Sequence, residues 1–264
     1  MIMTQGDIIK LWEGGAPGFD PSIADQAQPS VKAFPVAGSR GAVVVCPGGG
    51  YVMKAAHEGD PIALMLGEAG ISAYVLDYRV APYTYPWPIQ DGLRAVRVVR
   101  SLGYEKVGIL GFSAGGHLTC SVATLGDEGD PNSDDPIARF ASRPDAFVPC
   151  YAVVSLEMFR HQGSLSSLLG EHSGDETLLS KLSANQNITD STPPAFIWHT
   201  ADDDVVPVQN SLMLASALTD KRVPYELIVF PSGRHGLGLG DPGSDVAQWP
   251  ALCQRWLIDL GFGI

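Results

Sequence analysis

A serine with a glycine two positions away on each side is the first group in this sequence that could do covalent chemistry. Residues 107–117 read VGILGFSAGGH, which places Ser113 between Gly111 and Gly115. The apolar run before the serine predicts a buried strand, and the small residues after it predict the start of a helix. A serine on such a sharp strand-to-helix turn is typical of a nucleophile elbow, which raises the hydroxyl above the edge of a sheet.

A nucleophilic serine needs a histidine base, and six histidines are available. In folds built around a nucleophile elbow the chain order is serine, acid, histidine. That order favours His235, which lies in the glycine-rich loop PSGRHGLGLG after the strand-like segment PYELIVF. The remaining histidines are His57, His117, His161, His172 and His199.

The other histidines have competing interpretations. His117 lies in the predicted helix after the serine and His199 in a predicted strand, so we expect both to have structural roles. His161 and His172 lie in a long polar insertion, where a surface role is expected and a substrate contact is the alternative.

The acid that orients the histidine is expected after the strand-like segment AFIWHT, where the chain reads ADDDVVP. Any of the three adjacent aspartates could orient an imidazole and stabilise its cation. The spacing Asp-x-x-Val-Pro, with the proline opening the next predicted helix, favours Asp203. Asp202 is the second candidate and Asp204 the third.

A run of glycines supplies candidates for stabilising a negatively charged oxygen. The segment CPGGGY follows the strand-like AVVV, and glycines allow backbone N–H groups to approach a substrate oxygen closely. Gly49, Gly50 and Ala114 are the predicted oxyanion-hole donors. A tight turn or a phosphate cradle is the alternative, but no Lys-Ser/Thr pair follows the glycines. Tyr51 is expected to line an acyl pocket, and Glu58 to stabilise the glycine loop.

The elements that must position these groups alternate along the chain. Six strand-like segments, AVVVC, ISAYVLDY, VGILGF, DAFVPCYAVV, PAFIWHT and PYELIVF, are separated by segments with helical periodicity. This alternation predicts a mostly parallel sheet with helices on both faces. Residues 126–144 and 155–194 interrupt it after two of the strands, as insertions that carry specificity often do.

Composition excludes several classes of function. The chain has 264 residues and a net charge of −12, which disfavours binding to nucleic acid or to an anionic membrane. No signal peptide and no apolar run of membrane-spanning length are seen, so a cytoplasmic location is expected. The four cysteines are widely spaced, which predicts free thiols and no metal site.

The motifs together resemble a known family. LWEGGAPG, VVVCPGGGY, HEGDPIALML, LDYRVAPYTYPWPIQD, GFSAGGHL, SRPDAF, PPAFIWHTADDDVVPVQNSL and HGLGLG occur in this order over nearly the whole chain. They resemble bacterial α/β-hydrolase carbohydrate esterases of the acetyl-xylan esterase type, some of which cleave feruloyl esters. The family's nucleophile, acid and base fall on Ser113, Asp203 and His235. A weaker resemblance is to the hormone-sensitive-lipase group, from which the chain departs at Pro47, normally His, and Phe112, normally Asp.

The resemblance implies one α/β-hydrolase domain over residues 1–264, with an eight-stranded, mostly parallel sheet flanked by helices. It further implies a cofactor-free serine esterase that removes short acyl groups, chiefly acetyl, from sugars or xylo-oligosaccharides. A broad short-chain carboxylesterase or a serine peptidase of similar fold is the alternative. A catalytically inactive binding module is disfavoured, because it would not need a complete serine, histidine and aspartate set.

Overall fold

The computed structural model describes residues 3–23 and 26–264, and its framework is one eight-stranded sheet. The strands are β1 (Ile8–Lys10), β2 (Ser30–Phe34), β3 (Gly41–Cys46), β4 (Ser72–Asp77), β5 (Lys106–Phe112), β6 (Ala146–Cys150), β7 (Ala195–Thr200) and β8 (Tyr225–Phe230). Their order across the sheet is β1-β2-β4-β3-β5-β6-β7-β8. Strands β3 to β8 run parallel, whereas β2 is antiparallel to both of its neighbours. The prediction of an α/β-hydrolase fold is therefore confirmed.

Within the described residues, seven α-helices accompany the strands. They are α1 (Asp60–Glu68), α2 (Trp87–Ser101), α3 (Ser113–Leu125), α4 (Gln162–Leu169), α5 (Glu176–Lys181), α6 (Gln209–Asp220) and α7 (Trp249–Asp259). The interruption at 155–194 contains α4 and α5, whereas the one at 126–144 contains only a short 3₁₀ helix, Pro136–Arg139.

The central strands are buried on both faces. All six residues of β3 are buried, and alternate residues pack into two different apolar clusters. Val44 belongs to the cluster on one face, and Val43 and Val45 belong to the cluster on the other. This explains why β3 appears in the sequence as a continuous apolar run rather than an alternating pattern.

The register of the sheet brings the carboxyl ends of five strands to one edge. Cys46 at the end of β3 pairs with Gly111 of β5, and Phe112 at the end of β5 pairs with Cys150 at the end of β6. Thr200 of β7 pairs with Phe230 of β8. The loops after β3, β5, β6, β7 and β8 consequently emerge side by side, where open parallel sheets place their ligand sites.

Candidate active site

Ser113 occupies a strained turn between β5 and α3. Its φ is +52°, in the left-handed region that residues with a Cβ rarely adopt. A Cβ at Gly111 would lie 2.3 Å from the carbonyl oxygen of Gly115, and one at Gly115 would lie 2.2 Å from that of Cys46. The close approach of these backbones therefore requires both glycines of the motif.

The structure brings Ser113, His235 and Asp203 into one hydrogen-bonded chain. The Nε2 atom of His235 lies 2.8 Å from Oγ of Ser113, and its Nδ1 atom lies 2.7 Å from Oδ2 of Asp203. Ser113 follows β5, Asp203 follows β7 and His235 follows β8. The edge of the sheet therefore brings together groups that are up to 122 positions apart in the sequence. A base placed between a hydroxyl and a carboxylate can take the hydroxyl proton while the carboxylate stabilises the resulting imidazolium.

Asp203 is held rigidly on both of its oxygens. Oδ1 accepts hydrogen bonds from the backbone N–H groups of Val205 (2.9 Å) and Val206 (2.8 Å). Oδ2 faces His235 and also lies 3.4 Å from Nε2 of His199. Burial alone would raise the pKa of Asp203, but hydrogen bonds from the two histidines and from Val206 outweigh it and hold the pKa well below its usual value. The carboxylate therefore stays ionised at neutral pH.

The two neighbouring aspartates lie elsewhere. Asp202 accepts hydrogen bonds from Oγ of Ser232 (2.6 Å) and the N–H of Gly233 (2.8 Å), and these bonds lower its pKa. Its position ties the β7 loop to the segment preceding His235. Asp204 is exposed. Of the three aspartates, only Asp203 is buried and bonded to the imidazole of His235.

The glycine loop after β3 presents backbone N–H groups next to the serine. The N–H of Gly48 donates to Oε2 of Glu58 (2.7 Å), so it is already used. In the part of the chain that the structure describes, the N–H groups of Gly49 and Gly50 donate to no protein acceptor. The N–H of Ala114 lies in the first turn of α3, where helix N–H groups lack an intrahelical acceptor. The three predicted donors are thus available to a ligand oxygen.

The conformation of this loop depends on glycine at position 49. Gly49 has a φ of +129°, and a Cβ there would lie 2.3 Å from the carbonyl oxygen of Met53. The carbonyl oxygen of Gly49 in turn accepts hydrogen bonds from the N–H groups of Val52 and Met53. This closed turn fixes the backbone of the loop at Gly49.

A buried network joins the glycine loop to the loop that carries His235. Glu58 is 2% exposed, and it accepts the hydroxyl hydrogen of Tyr151 (2.6 Å) as well as the N–H of Gly48. The same hydroxyl accepts the N–H of Gly238 (3.0 Å). The ring of Tyr151 meets that of His235 edge to face, with centroids 5.0 Å apart. The expectation that Glu58 supports the glycine loop agrees with these contacts.

These groups surround a cleft of about 270 Å³. His57, on its wall, makes a 3.0 Å hydrogen bond from Nε2 to the carbonyl oxygen of Gly236 and so links the two loops again. Gly236 has a positive φ, which suits the sharp turn after His235. The lining residues are Gly49, Gly50, Ala55, His57, Glu58, Ser113, His161, Val205, His235 and Gly236.

Comparison with known proteins agrees with this architecture. Residues 35–218, about 70% of the chain, match the BD-FAE family. The chain belongs to the BD-FAE family. The matched region contains Ser113 and Asp203, and His235 follows it.

Curated relatives of this BD-FAE chain include two longer proteins. It is 32% identical over 255 residues to an acetylxylan esterase of Xylanibacter ruminicola, an alignment covering 92% of this chain and 49% of that protein. It is 38% identical over 208 residues to endo-1,4-beta-xylanase B of Butyrivibrio fibrisolvens, covering 75% of this chain and 32% of that protein. The chain thus spans a third to a half of the length of these two relatives.

Solved structures extend the comparison. The acetyl ester-xyloside bifunctional hydrolase of Caldicellulosiruptor lactoaceticus is 44% identical, with a TM-score of 0.93 and 98% of each chain covered. A carboxylesterase of Lactobacillus plantarum is 26% identical, with a TM-score of 0.71, and the match covers 90% of this chain and 94% of that one.

One residue of the BD-FAE chain lies away from its predicted place. The side chain of Tyr51 is fully buried, and its hydroxyl bonds to Nδ1 of His117 (2.8 Å), whose Nε2 bonds to the carbonyl oxygen of Leu182 (2.9 Å). Tyr51 is not among the residues that line the cleft. The prediction that it lines an acyl pocket is therefore corrected. Its ring packs edge to face against that of His117, with centroids 5.8 Å apart.

The histidines outside the hydrogen-bonded chain divide into three kinds. His117 and His199 are fully buried and hydrogen-bonded on both ring nitrogens, which agrees with structural roles. His172 is exposed. His57 and His161 line the cleft. The position of His161 therefore fits the alternative of a substrate contact better than the expected surface role.

Sequence reasoning missed Tyr151. It falls inside the strand-like segment DAFVPCYAVV, yet the strand ends at Cys150 and the tyrosine adopts a positive φ of 34°. An apolar run shows no periodic signal for such a turn.

Within residues 3–23 and 26–264, no group of three or more His, Cys, Asp or Glu side chains is arranged to hold a metal ion. Over the same described residues, no helix is both long and apolar enough to cross a bilayer.

Proposed function

We propose that this chain is a serine esterase that removes short acyl groups, chiefly acetyl, from sugars or xylo-oligosaccharides. The observation that carries the proposal is the hydrogen-bonded chain from Ser113 through His235 to Asp203 beside a loop with unused N–H groups. The relatives named acetylxylan esterase and acetyl ester-xyloside bifunctional hydrolase support an acetylated carbohydrate as the substrate.

The first half of the reaction forms an acyl-enzyme. Nε2 of His235 takes the proton of Ser113 as Oγ attacks the ester carbonyl. The carbonyl oxygen becomes an oxyanion that accepts hydrogen bonds from the N–H groups of Gly49, Gly50 and Ala114, each contributing on the order of 3 kcal/mol in the transition state. When the carbon–oxygen bond of the ester breaks, His235 returns the proton to the departing alkoxide, and the alcohol leaves.

The second half releases the acid. Water loses a proton to His235 and attacks the acyl carbonyl, and the same N–H groups stabilise the second oxyanion. Ser113 leaves with the proton from His235, which restores the enzyme. Asp203 remains ionised throughout and keeps the Nδ1–H tautomer of His235, in which Nε2 is free to act as base.

The cleft suits a small ester. Its volume of about 270 Å³ is large enough for an acetyl group and part of a sugar ring. The glycine loop, braced by Glu58, forms one wall, and the histidine loop, packed on Tyr151, forms another. No cofactor takes part in this scheme. A cytoplasmic location, a single domain and the lack of nucleic-acid or membrane partners stay predictions from the sequence.

The proposal is tested by measuring acetate release from acetylated xylo-oligosaccharides beside hydrolysis of 4-nitrophenyl acetate, with wild type and Ser113→Ala. The variant is expected to keep its fold and lose several orders of magnitude in kcat. A serine-directed phosphonate should label the wild type once and leave the variant unlabelled. Activity above about 10% of wild type in the variant contradicts the nucleophile assignment. Equal kcat/KM for simple alkyl acetates and sugar acetates would favour a broad carboxylesterase.

A further inference from the structure

His161 lines the cleft, and its hydrogen bonds select one tautomer of the neutral imidazole. It precedes α4 and caps that helix, because its Nδ1 accepts a hydrogen bond from the N–H of Ser164 (3.2 Å). Oγ of Ser164 also lies 2.8 Å from Nδ1 and can donate to it. A ring nitrogen that accepts a backbone N–H carries a lone pair, so the proton of the neutral imidazole resides on Nε2.

The Nε2–H group of His161 is not used by the protein. Among the described residues, no side chain or backbone carbonyl accepts a hydrogen bond from it. Burial and, next, the nearby His235 lower the pKa of His161, which keeps the ring neutral at pH 7. His161, a lining residue of the cleft, therefore carries an uncharged hydrogen-bond donor on a ring that is held in place by the helix cap.

His161 is anchored to the acid and base side of the cleft. Asn210, in α6, accepts the N–H groups of Val154 and Ser155 and donates to the carbonyl oxygen of Phe159, two residues before His161. Helix α6 begins shortly after the loop that contains Asp203. These hydrogen bonds tie the segment before His161 to α6, on the β7 side of the site.

The position decides which half of the ester His161 can meet. His235 must give its proton to the departing alkoxide, so the alcohol half of the substrate lies next to His235. The carbonyl oxygen points the other way, toward the glycine loop. A donor on the histidine side therefore faces the alcohol, and an uncharged N–H suits a hydroxyl oxygen.

We propose that His161 is a specificity-determining residue whose Nε2–H donates a hydrogen bond to a hydroxyl group of the sugar next to the ester being cleaved. This proposal rests on the proposed esterase function and names the feature of the alcohol that the site recognises. A polyol ester would use the donor, whereas an alkyl ester of the same size would leave it unpaired in a partly desolvated cleft.

The test compares two alcohols of similar ring size. Monoacetates of methyl xyloside carry ring hydroxyls, and cyclohexyl acetate carries none. The selectivity, defined as the ratio of their kcat/KM values, is measured for wild type, His161→Phe and His161→Gln. Phenylalanine keeps a ring without the donor, and glutamine places an N–H close to the position of Nε2. His172→Phe changes an exposed histidine of the same insertion and is the matched control.

The selectivity for the sugar ester is expected to fall about 5- to 10-fold in His161→Phe, as for loss of one hydrogen bond, and to be largely restored in His161→Gln. The control should retain wild-type selectivity. A selectivity in His161→Phe that stays within about two-fold of wild type overturns the proposal, as does a wild type without preference for the sugar ester. A wild type that hydrolyses neither ester would instead reject the esterase function.

A measurement on the unmodified protein covers the case in which the phenylalanine variant fails to fold. Nitrogen-15 NMR of the histidine rings distinguishes the two neutral tautomers. The Nε2–H form of His161 at pH 7.5 is the expected result, and the Nδ1–H form would overturn the inference.

Discussion

Replacing Asp203 by asparagine tests its assignment as the acid that orients His235, with almost no change in side-chain volume. The side-chain oxygen of the variant will stay where Oδ1 is now, because the N–H groups of Val205 and Val206 both donate to that atom. The reversed amide would direct its NH₂ group at two N–H donors and lose both hydrogen bonds, at a cost of about 1–3 kcal/mol for each unsatisfied group. The NH₂ group of the substituted side chain will therefore face Nδ1 of His235.

That orientation reverses the tautomer of the base. Nδ1 of His235 must accept from the new NH₂ group, so the ring proton moves to Nε2, which lies 2.8 Å from Oγ of Ser113. A protonated Nε2 cannot take the serine proton. Loss of the acid in this way is expected to lower kcat about 10³- to 10⁴-fold, which corresponds to about 4–5.5 kcal/mol in the transition state.

The assay is kcat for 4-nitrophenyl acetate at pH 7.5, with Asp202→Asn as the matched control. The exposed Asp202 accepts hydrogen bonds from Ser232 and Gly233 and, among the described residues, none from His235, so its replacement should cost less than about 10-fold. Retention of more than about 10% of wild-type kcat by Asp203→Asn would refute the tautomer argument. A larger loss in the control would move the acid to Asp202.

Three other predictions concern the support of the site, the core and the substrate. Glu58→Ala should lower kcat for acetyl esters about 10-fold or more, because Gly48 and Tyr151 lose their hydrogen-bond acceptor. Glu58→Gln can still accept from Gly48 and should lose less activity, and equal losses in the two variants would contradict this reasoning. Burial lowers the pKa of His117 from 6.5 to about 4, so the unfolded chain binds a proton that the folded chain excludes between these values. The free energy of unfolding should consequently fall by about 2.5 kcal/mol more between pH 7.5 and 4.5 in wild type than in His117→Gln, measured by urea denaturation. Finally, kcat/KM for 4-nitrophenyl esters should decrease from acetyl to butyryl and become negligible at octanoyl, because a chain that does not fit displaces the carbonyl from Ser113; a maximum at hexanoyl or beyond would indicate a lipase-like pocket.

The centre of the sheet could be predicted because strands such as β3, β6 and β7 are buried on both faces and appear as continuous apolar runs. Strands β3 to β8 all coincide with apolar segments that the sequence marks as strands, and the helices between them have the expected periodicity. The edge strand β1 and its neighbour β2 carry no comparable signal. Strand β1 has three residues, two of them exposed, and it is defined by its antiparallel pairing with β2 rather than by its own composition.

The groups of the candidate site were predictable where backbone geometry restricts the residue type. The turn at Ser113 needs glycine on both sides, and the order of serine, acid and histidine follows from the sheet topology. The direction of a large side chain was not predictable in the same way. Tyr51 and Tyr151 both have positive φ values, and only tertiary packing directs the first toward His117 and the second toward His235.

The position of Tyr151 explains how the two halves of the site are held together. Strands β5, β6, β7 and β8 are consecutive neighbours in the sheet, and they are followed by Ser113, Tyr151, the Asp203 loop and the His235 loop. Strand β6, between the strands that precede Ser113 and Asp203, contributes no member of the hydrogen-bonded chain. It is followed by Tyr151, whose ring packs against that of His235. Because the hydroxyl of the same tyrosine reaches Glu58, a shift of the base loop is resisted by the support of the glycine loop. The proposed sites of proton transfer and of oxyanion binding are thus coupled through Tyr151 and Glu58, in addition to the bond between His57 and Gly236.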